Sequence, residues 1–167
     1  DYYDGDRYGF NPTLRLEISP VTTLDLSYEH ADHERFIDRG VPTLNGEPVE
    51  AFEDIVFGDT DTNLQTLRAD IYRANLSHEF SETSKGNLVI QYSDFQKLYK
   101  NYYASGYSGG DTFTADGYLD PTERNNLILS GNVVNEFQTG SVKHTLLVGA
   151  EIIDTENENY CLLYTSD

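Results

Sequence analysis

The stretch LYKNYYASGYSGGDTFTADGY (98–118) crowds Tyr99, Tyr102, Tyr103, Tyr107, Phe113 and Tyr118 into one short span. Rings of this kind offer rigid, amphipathic contact surface to a bulky ligand. They equally suit the aromatic girdle of a β-barrel at a membrane interface. Upstream, Arg35, Phe36 and Arg39 precede Gly40 and set rare cations among acids. Arginine can meet an anionic ligand through paired hydrogen bonds. The competing use is local neutralisation of Glu34 and Asp38. The candidate ligand-binding residues are Arg35, Phe36, Arg39, Tyr99, Tyr102, Tyr103 and Tyr107.

Metal and catalytic chemistry find little support. Asp59-Thr60-Asp61-Thr62-Asn63 mimics the start of a calcium loop. It then has Leu64 where the turn needs Gly, and Asp70 where the bidentate Glu is usual. His30 and His33 sit three apart, which on a strand sends them to opposite faces. Neither an HExxH pattern nor a Cys ligand pair occurs. No Gly-x-Ser-x-Gly elbow supplies a nucleophile. The chain is read as a non-enzyme without a resident metal or cofactor.

Six strand-like segments carry these residues. In 8–18, Phe10, Leu14, Leu16 and Ile18 alternate with polar residues. In 23–32, Leu24, Leu26 and Tyr28 oppose Asp25, Ser27 and Glu29. The third segment, 67–80, sets Tyr72, Ala74, Leu76 and Phe80 against Arg73, Asn75, Ser77 and Glu79. A fourth starts at Asn87 with Leu88, Ile90 and Tyr92. The fifth, 124–137, has Leu127, Leu129, Val133 and Phe137 on one side. In the sixth, within 140–156, His144, Leu146, Val148, Ala150 and Ile152 share a parity. Short turns at 19–22, 81–86 and 138–141 alternate with long connections at 33–63 and 94–123. Short turns at one end and long loops at the other describe up-and-down antiparallel hairpins. This is the rhythm of outer-membrane barrels.

The bulk figures agree. The chain has 167 residues, a formal net charge of −18 and 24% charged residues. Nucleic acid is excluded, because phosphate binding needs clustered Lys and Arg. Aromatic content of 13% argues against disorder. The absence of a long apolar run excludes a transmembrane helix but not a barrel. The start, DYYDGDRYGF, is neither a signal peptide nor a transit sequence, and reads as the middle of a longer protein. At the other end, CLLYTSD (161–167) holds the only Cys and fits no strand or turn. It resembles the translated remnant of a sequencing adapter. The division expected is a barrel part over 1–159 and a non-native tail over 160–167. A natural strand end with a buried thiol is the competing account.

HTLLVGAE (144–151) resembles a strand signature of TonB-dependent siderophore receptors, the ferric-hydroxamate type in particular. The flanking order matches as a unit: Arg124-Asn125-Asn126, then Phe137-Gln138-Thr139-Gly140, then His144. SHEF (77–80) followed by a polar turn, and the Gly40-Val41-Pro42 step after Tyr28-Glu29, are similar to the same family. The resemblance implies a barrel of about 22 strands closed by a separate plug. It implies import of ferric siderophores across the bacterial cell outer membrane, driven through the TonB complex. The plug that meets that complex is absent from this chain. Outer-membrane lipid and lipopolysaccharide would be further partners.

The expectation is an all-β, antiparallel up-and-down transmembrane β-barrel fragment of about six strands. Its apolar face would touch lipid. The alternative is a secreted or periplasmic β-sandwich binding glycan or calcium. There, Leu14, Leu16, Leu24, Leu26, Leu127, Leu129, Leu146 and Val148 would form a buried core.

Overall fold

The computed structural model describes residues 4–59 and 61–165. The elements in chain order are β1 (Gly5–Phe10), β2 (Thr13–Ser19), β3 (Thr22–Phe36), β4 (Thr43–Leu44), β5 (Glu47–Pro48), β6 (Leu64–Ser81), β7 (Ser84–Gly106), β8 (Thr114–Thr139), β9 (Val142–Asn159) and β10 (Leu162–Thr165). All but β4 and β5 belong to one antiparallel sheet. β1 and β2 pair with successive halves of β3, so they form one ribbon interrupted at Asn11-Pro12. Pro12 has no N–H to give to a ladder, although its carbonyl still accepts from Tyr28 N at 3.1 Å. β9 and β10 likewise lie end to end along β8. The result is a six-ribbon meander, the number read from the sequence.

Three two-residue turns close one end: Ser19↔Thr22, Ser81↔Ser84 and Thr139↔Val142. Gly140 in the third has φ +61°, the left-handed backbone that such hairpins need. Turn residues are tied to the neighbouring ribbon, with Glu79 N donating to Val21 O and Glu136 N to Thr83 O, both at 2.8 Å.

The pairing register lines residues of one parity into rows across the sheet. Tyr28, Tyr72 and Tyr92 form one such row. Their ring centroids are 4.9 Å and 6.5 Å apart. Toward the tight turns the next rows are Leu26–Ala74–Ile90–Leu129–Ile152 and Leu24–Leu76–Leu88–Gly131–Ala150. A second aromatic level follows at the turn end, with His78 against Phe80 and Phe137 stacked on His144 at 4.9 Å. From Tyr72 to Phe80 the strand rises about 26 Å, or about 20 Å if tilted by roughly 40°. With its aromatic borders the band is of the order of the roughly 25 Å apolar height of a barrel wall.

The opposite face at these levels is polar. Asn87 Nδ2 donates to Asn75 Oδ1, and Asn132 Nδ2 donates to Asn87 Oδ1 at 3.3 Å. Arg73 donates to Gln91 from Nε at 2.9 Å.

No second sheet covers the apolar face, and this overturns the sandwich alternative. Leu129 is 41% exposed, Leu146 53% and Val148 61%. Among the described residues the buried apolar side chains are Ile37, Phe57 and Ala69, and Ile37 and Phe57 lie in a loop. The side chains proposed as a sandwich core are a bare outer surface instead.

Away from the tight turns the strands run further than the sequence pattern showed. The span 94–123, read as a long loop, is strand except for 107–113. Beyond the tyrosine row both faces carry polar and aromatic side chains. Apolar alternation therefore fades while backbone pairing continues. The first connection is a true loop over 37–63, with a β4–β5 hairpin and a 3-10 turn at Glu50–Phe52. Asn45 (φ +52°) and Gly46 (φ +86°) form the two-residue link of that hairpin. Leu162–Thr165 pairs with Asp116–Leu119 of β8, and Cys161 is exposed rather than buried. Backbone ladder bonds along a free edge ask for no side-chain pattern.

The loop is fastened to the sheet by Asn63, which has no solvent exposure. Its Nδ2 donates to the carbonyls of Ile37 (3.1 Å) and Tyr102 (2.9 Å), and its Oδ1 accepts from Tyr102 N at 2.7 Å. Rings complete the attachment: Phe52 lies 5.3 Å from Tyr107, and Phe57 lies 5.0 Å from Phe113. These contacts join the 37–63 loop to the β7–β8 tip.

Two outcomes follow. In the full-length protein in membranes, spin labels at Leu129 and Leu146 should be relaxed by lipid-dissolved oxygen, and a label at Ser130 by a water-soluble quencher. Protection of both leucine sites from oxygen would mean a protein layer covers them. Asn63→Ala should cost about 1–3 kcal/mol, because it removes a buried amide and leaves the part-buried Tyr102 N–H without its acceptor. Hydrogen exchange at Tyr102 should quicken while the tight turns keep their protection.

Candidate functional site

On the polar face, beyond the tyrosine row, residues of β7 and β8 share one parity: Lys97, Tyr99, Asn101 and Tyr103 on β7, and Asp116, Tyr118, Asp120 and Thr122 on β8. Tyr99 stands opposite Asp120, and Asn101 opposite Tyr118. The Tyr99 and Tyr118 rings meet edge-on with centroids 5.7 Å apart. The Lys97 ammonium lies 3.3 Å from Asp120 Oδ2, and the Tyr118 hydroxyl donates to the same oxygen at 3.4 Å. Burial first, and then the Asp120 charge, push the Tyr118 hydroxyl above its ordinary pKa.

From the 37–63 loop, Arg39 reaches over this face. Its guanidinium sits 4.6 Å from the centre of the Tyr103 ring, a cation–π contact. These side chains line an open cavity of about 550 Å³ with Leu163 at one margin. Two cations and three phenols around one carboxylate make a site able to hold an aromatic or anionic ligand by stacking and charge-assisted hydrogen bonds.

The sequence candidates divide. Arg39, Tyr99 and Tyr103 come together in the cavity. Arg35 lies on the same cross-sheet row as Tyr99, with its Nε donating to Gln65 Oε1 at 2.7 Å. Phe36 and Tyr102 have the opposite parity and belong to the outward face. Tyr107 packs on Phe52 in the loop clamp, and its hydroxyl donates to Gly110 O at 3.0 Å. The sequence reading missed Lys97 and Asp120, and grouped Tyr118 with the aromatics without singling it out. A period of two through 97, 99, 101 and 103 carries that signal once the strand is extended to Gly106.

The two histidines set aside as a metal pair do separate. His30 Nδ1 bonds Asp70 Oδ1 at 2.8 Å, and the Tyr28 hydroxyl donates to the same oxygen at 2.5 Å. His33 lies on the other face, opposite Arg7 and Leu67. No cluster of three or more His, Cys, Asp or Glu side chains suited to a metal occurs among the described residues. In the calcium-like stretch, Thr60 lies outside the described residues. Asp59 Oδ1 there accepts from Asp61 N at 2.9 Å, closing a turn.

Comparison with known proteins fits this geometry. No family model matches the chain. The metal-pseudopaline receptor CntO of Pseudomonas aeruginosa is 25% identical over 97% of the chain. The ferrioxamine B receptor of Salmonella typhimurium is 27% identical over 91%. The chain spans 23% and 22% of those relatives' lengths. Among solved structures, the ferric-catecholate import receptor Fiu of E. coli superposes with a TM-score of 0.80 at 18% identity. It covers 96% of this chain and 28% of its own. FpvA of P. aeruginosa, solved with heterologous pyoverdines, gives 0.81 at 15% identity, covering 96% and 22%. The single-layer antiparallel sheet and its girdled apolar face are those of a barrel wall. Over nearly its whole length the chain is similar to segments of TonB-dependent siderophore receptors, and its sheet has the architecture of their β-barrel wall.

Proposed function

We propose that this segment forms part of the wall and binding vestibule of a receptor that captures ferric siderophores or related metal chelates and imports them. The observation that carries the reading is the cavity on the lumen face, in which Arg39, Tyr99, Tyr103 and Tyr118 converge above the membrane band. A chelate is bulky, and its organic shell suits stacking on phenol rings. The relatives named for metal chelates add support, since they align along nearly the whole chain.

The mechanism is capture followed by passage. The phenols and Arg39 hold the chelate at the mouth, while the clamped outer loop keeps them in register. A plug elsewhere in the full-length receptor then rearranges, powered from the inner membrane through the TonB complex. This wall makes and breaks no covalent bond. Its outward face meets lipid, with lipopolysaccharide above the tyrosine row.

The test uses the full-length receptor in outer membranes and binding of an iron-55 siderophore. Tyr99→Ala with Tyr103→Ala should weaken binding about tenfold or more, two stacking contacts being lost. Tyr107→Ala, in the loop clamp, should change affinity far less. Equal losses from the two variants, or none, would place the ligand elsewhere. In a host lacking TonB, binding should persist while internalised iron falls to background.

A further inference from the structure

Above the tyrosine row, charge is sorted by face. Two outward rows, His30–Asp70–Asp94–Asn125–Glu156 and Asp32–Arg68–Gln96–Glu123–Glu158, hold six carboxylates and one arginine. The lumen rows at the same heights reverse the balance. They read Ala31–Ala69–Phe95–Arg124–Asn157, His33–Leu67–Lys97–Thr122–Asn159 and Arg35–Gln65–Tyr99–Asp120. Three cations stand there against one carboxylate; further out, Arg39 adds a fourth from the loop over Tyr103, where the register also places Asp116. In a chain with 29 acids and 11 Lys and Arg residues, this inversion is specific to one surface.

The partners sharpen the contrast. Outward, Arg68 Nε pairs with the Asp70 carboxylate at 3.1 Å, and its charge is answered. On the lumen face Arg124 Nε donates to the amide oxygen of Asn157 at 3.1 Å. Four residues deeper by register, Arg73 donates to the amide oxygen of Gln91 from both Nε and Nη2. An amide orients a guanidinium without neutralising it. Glu29 and Glu151 share this face, yet neither forms an ion pair with Arg73 or Arg124 among the described residues.

We infer that the lumen wall selects an anionic metal chelate, with Arg39 and Lys97 as the charge-reading residues at the mouth and Arg124 and Arg73 as amide-held cations along the path inward. This rests on the chelate-receptor reading and adds the charge class to it. At the mouth, the ligand's carboxylate or catecholate oxygen replaces Asp120 on the Lys97 ammonium. Deeper in, Arg124 and Arg73 offer successive positive charges between lumen rows that also carry Glu29, Asp25 and Glu151, and so lower the cost of moving an anion along the wall.

The experiment takes the full-length receptor and two synthetic ferric trihydroxamates of one scaffold, one neutral and one bearing three carboxylates. Affinity is read by tyrosine fluorescence quenching and uptake with iron-55. The unaltered receptor should bind the carboxylated chelate about tenfold or more tightly than the neutral one, and the preference should shrink as salt rises. Lys97→Gln and Arg39→Gln should each erode that preference, weakening binding of the carboxylated chelate several-fold more than that of the neutral one. Arg124→Gln and Arg73→Gln should keep the affinity but slow uptake of the carboxylated chelate alone. Equal binding of the two chelates by the unaltered receptor would overturn the charge inference and leave the receptor reading standing. Equal losses for both chelates in the Lys97 and Arg39 variants would do the same. Failure to bind either chelate would instead count against the receptor reading itself.

Discussion

Everything in this chain depends on a sheet one layer thick. A soluble sheet hides its apolar face against another layer. Here Leu, Ile and Val side chains of β3, β6, β7, β8 and β9 stand bare between two aromatic levels. Only hydrocarbon makes such a face favourable, at about 25 cal/mol per Å² of apolar surface kept from water. The same medium forbids unpaired backbone groups, which is why the ladders joining β3, β6, β7, β8 and β9 continue across the band. The outer edges of β2 and β9 carry free donors and acceptors, so the wall is stable in lipid only as part of a larger sheet.

The alternation of the band was legible in the sequence because one medium acts on each face. Lipid on one side and water on the other force a period of two, and Leu127, Leu129 and Val133 against Asn126, Ser130 and Asn132 show it plainly. The tight turns were legible for a related reason, since Ser19-Pro20-Val21-Thr22 and Gly140 fix backbone angles locally. The six ribbons and their order follow from those two signals.

The outer third was hidden because both of its faces are wet. Tyr99, Tyr102 and Tyr103 look alike in the sequence, and composition alone grouped them. Backbone pairing through Gly106 separates them, with Tyr99 and Tyr103 lining the cavity and Tyr102 facing out. Lys97 and Asp120 were missed for the same reason: they are 23 residues apart in sequence and meet only once β7 and β8 are paired far beyond the membrane. Arg39 was readable as a rare cation. Its contact with Tyr103 depends on the loop's anchorage by Asn63 and was not readable.

That anchorage links fold to function. A loop of this length would ordinarily sample many conformations, and ligand binding would bear the cost of ordering it. Asn63 spends three hydrogen bonds on fixing the loop's end to the backbone of β7 at Tyr102, next to Tyr103 itself. Phe52 and Phe57 close the far side on Tyr107 and Phe113. Arg39 is thereby held over the phenol ring it covers before any ligand arrives. The membrane band supplies a rigid base, the extended hairpin carries that rigidity outward, and the buried amide passes it to the loop. Side chains from a strand and from a distant loop can then act as one surface.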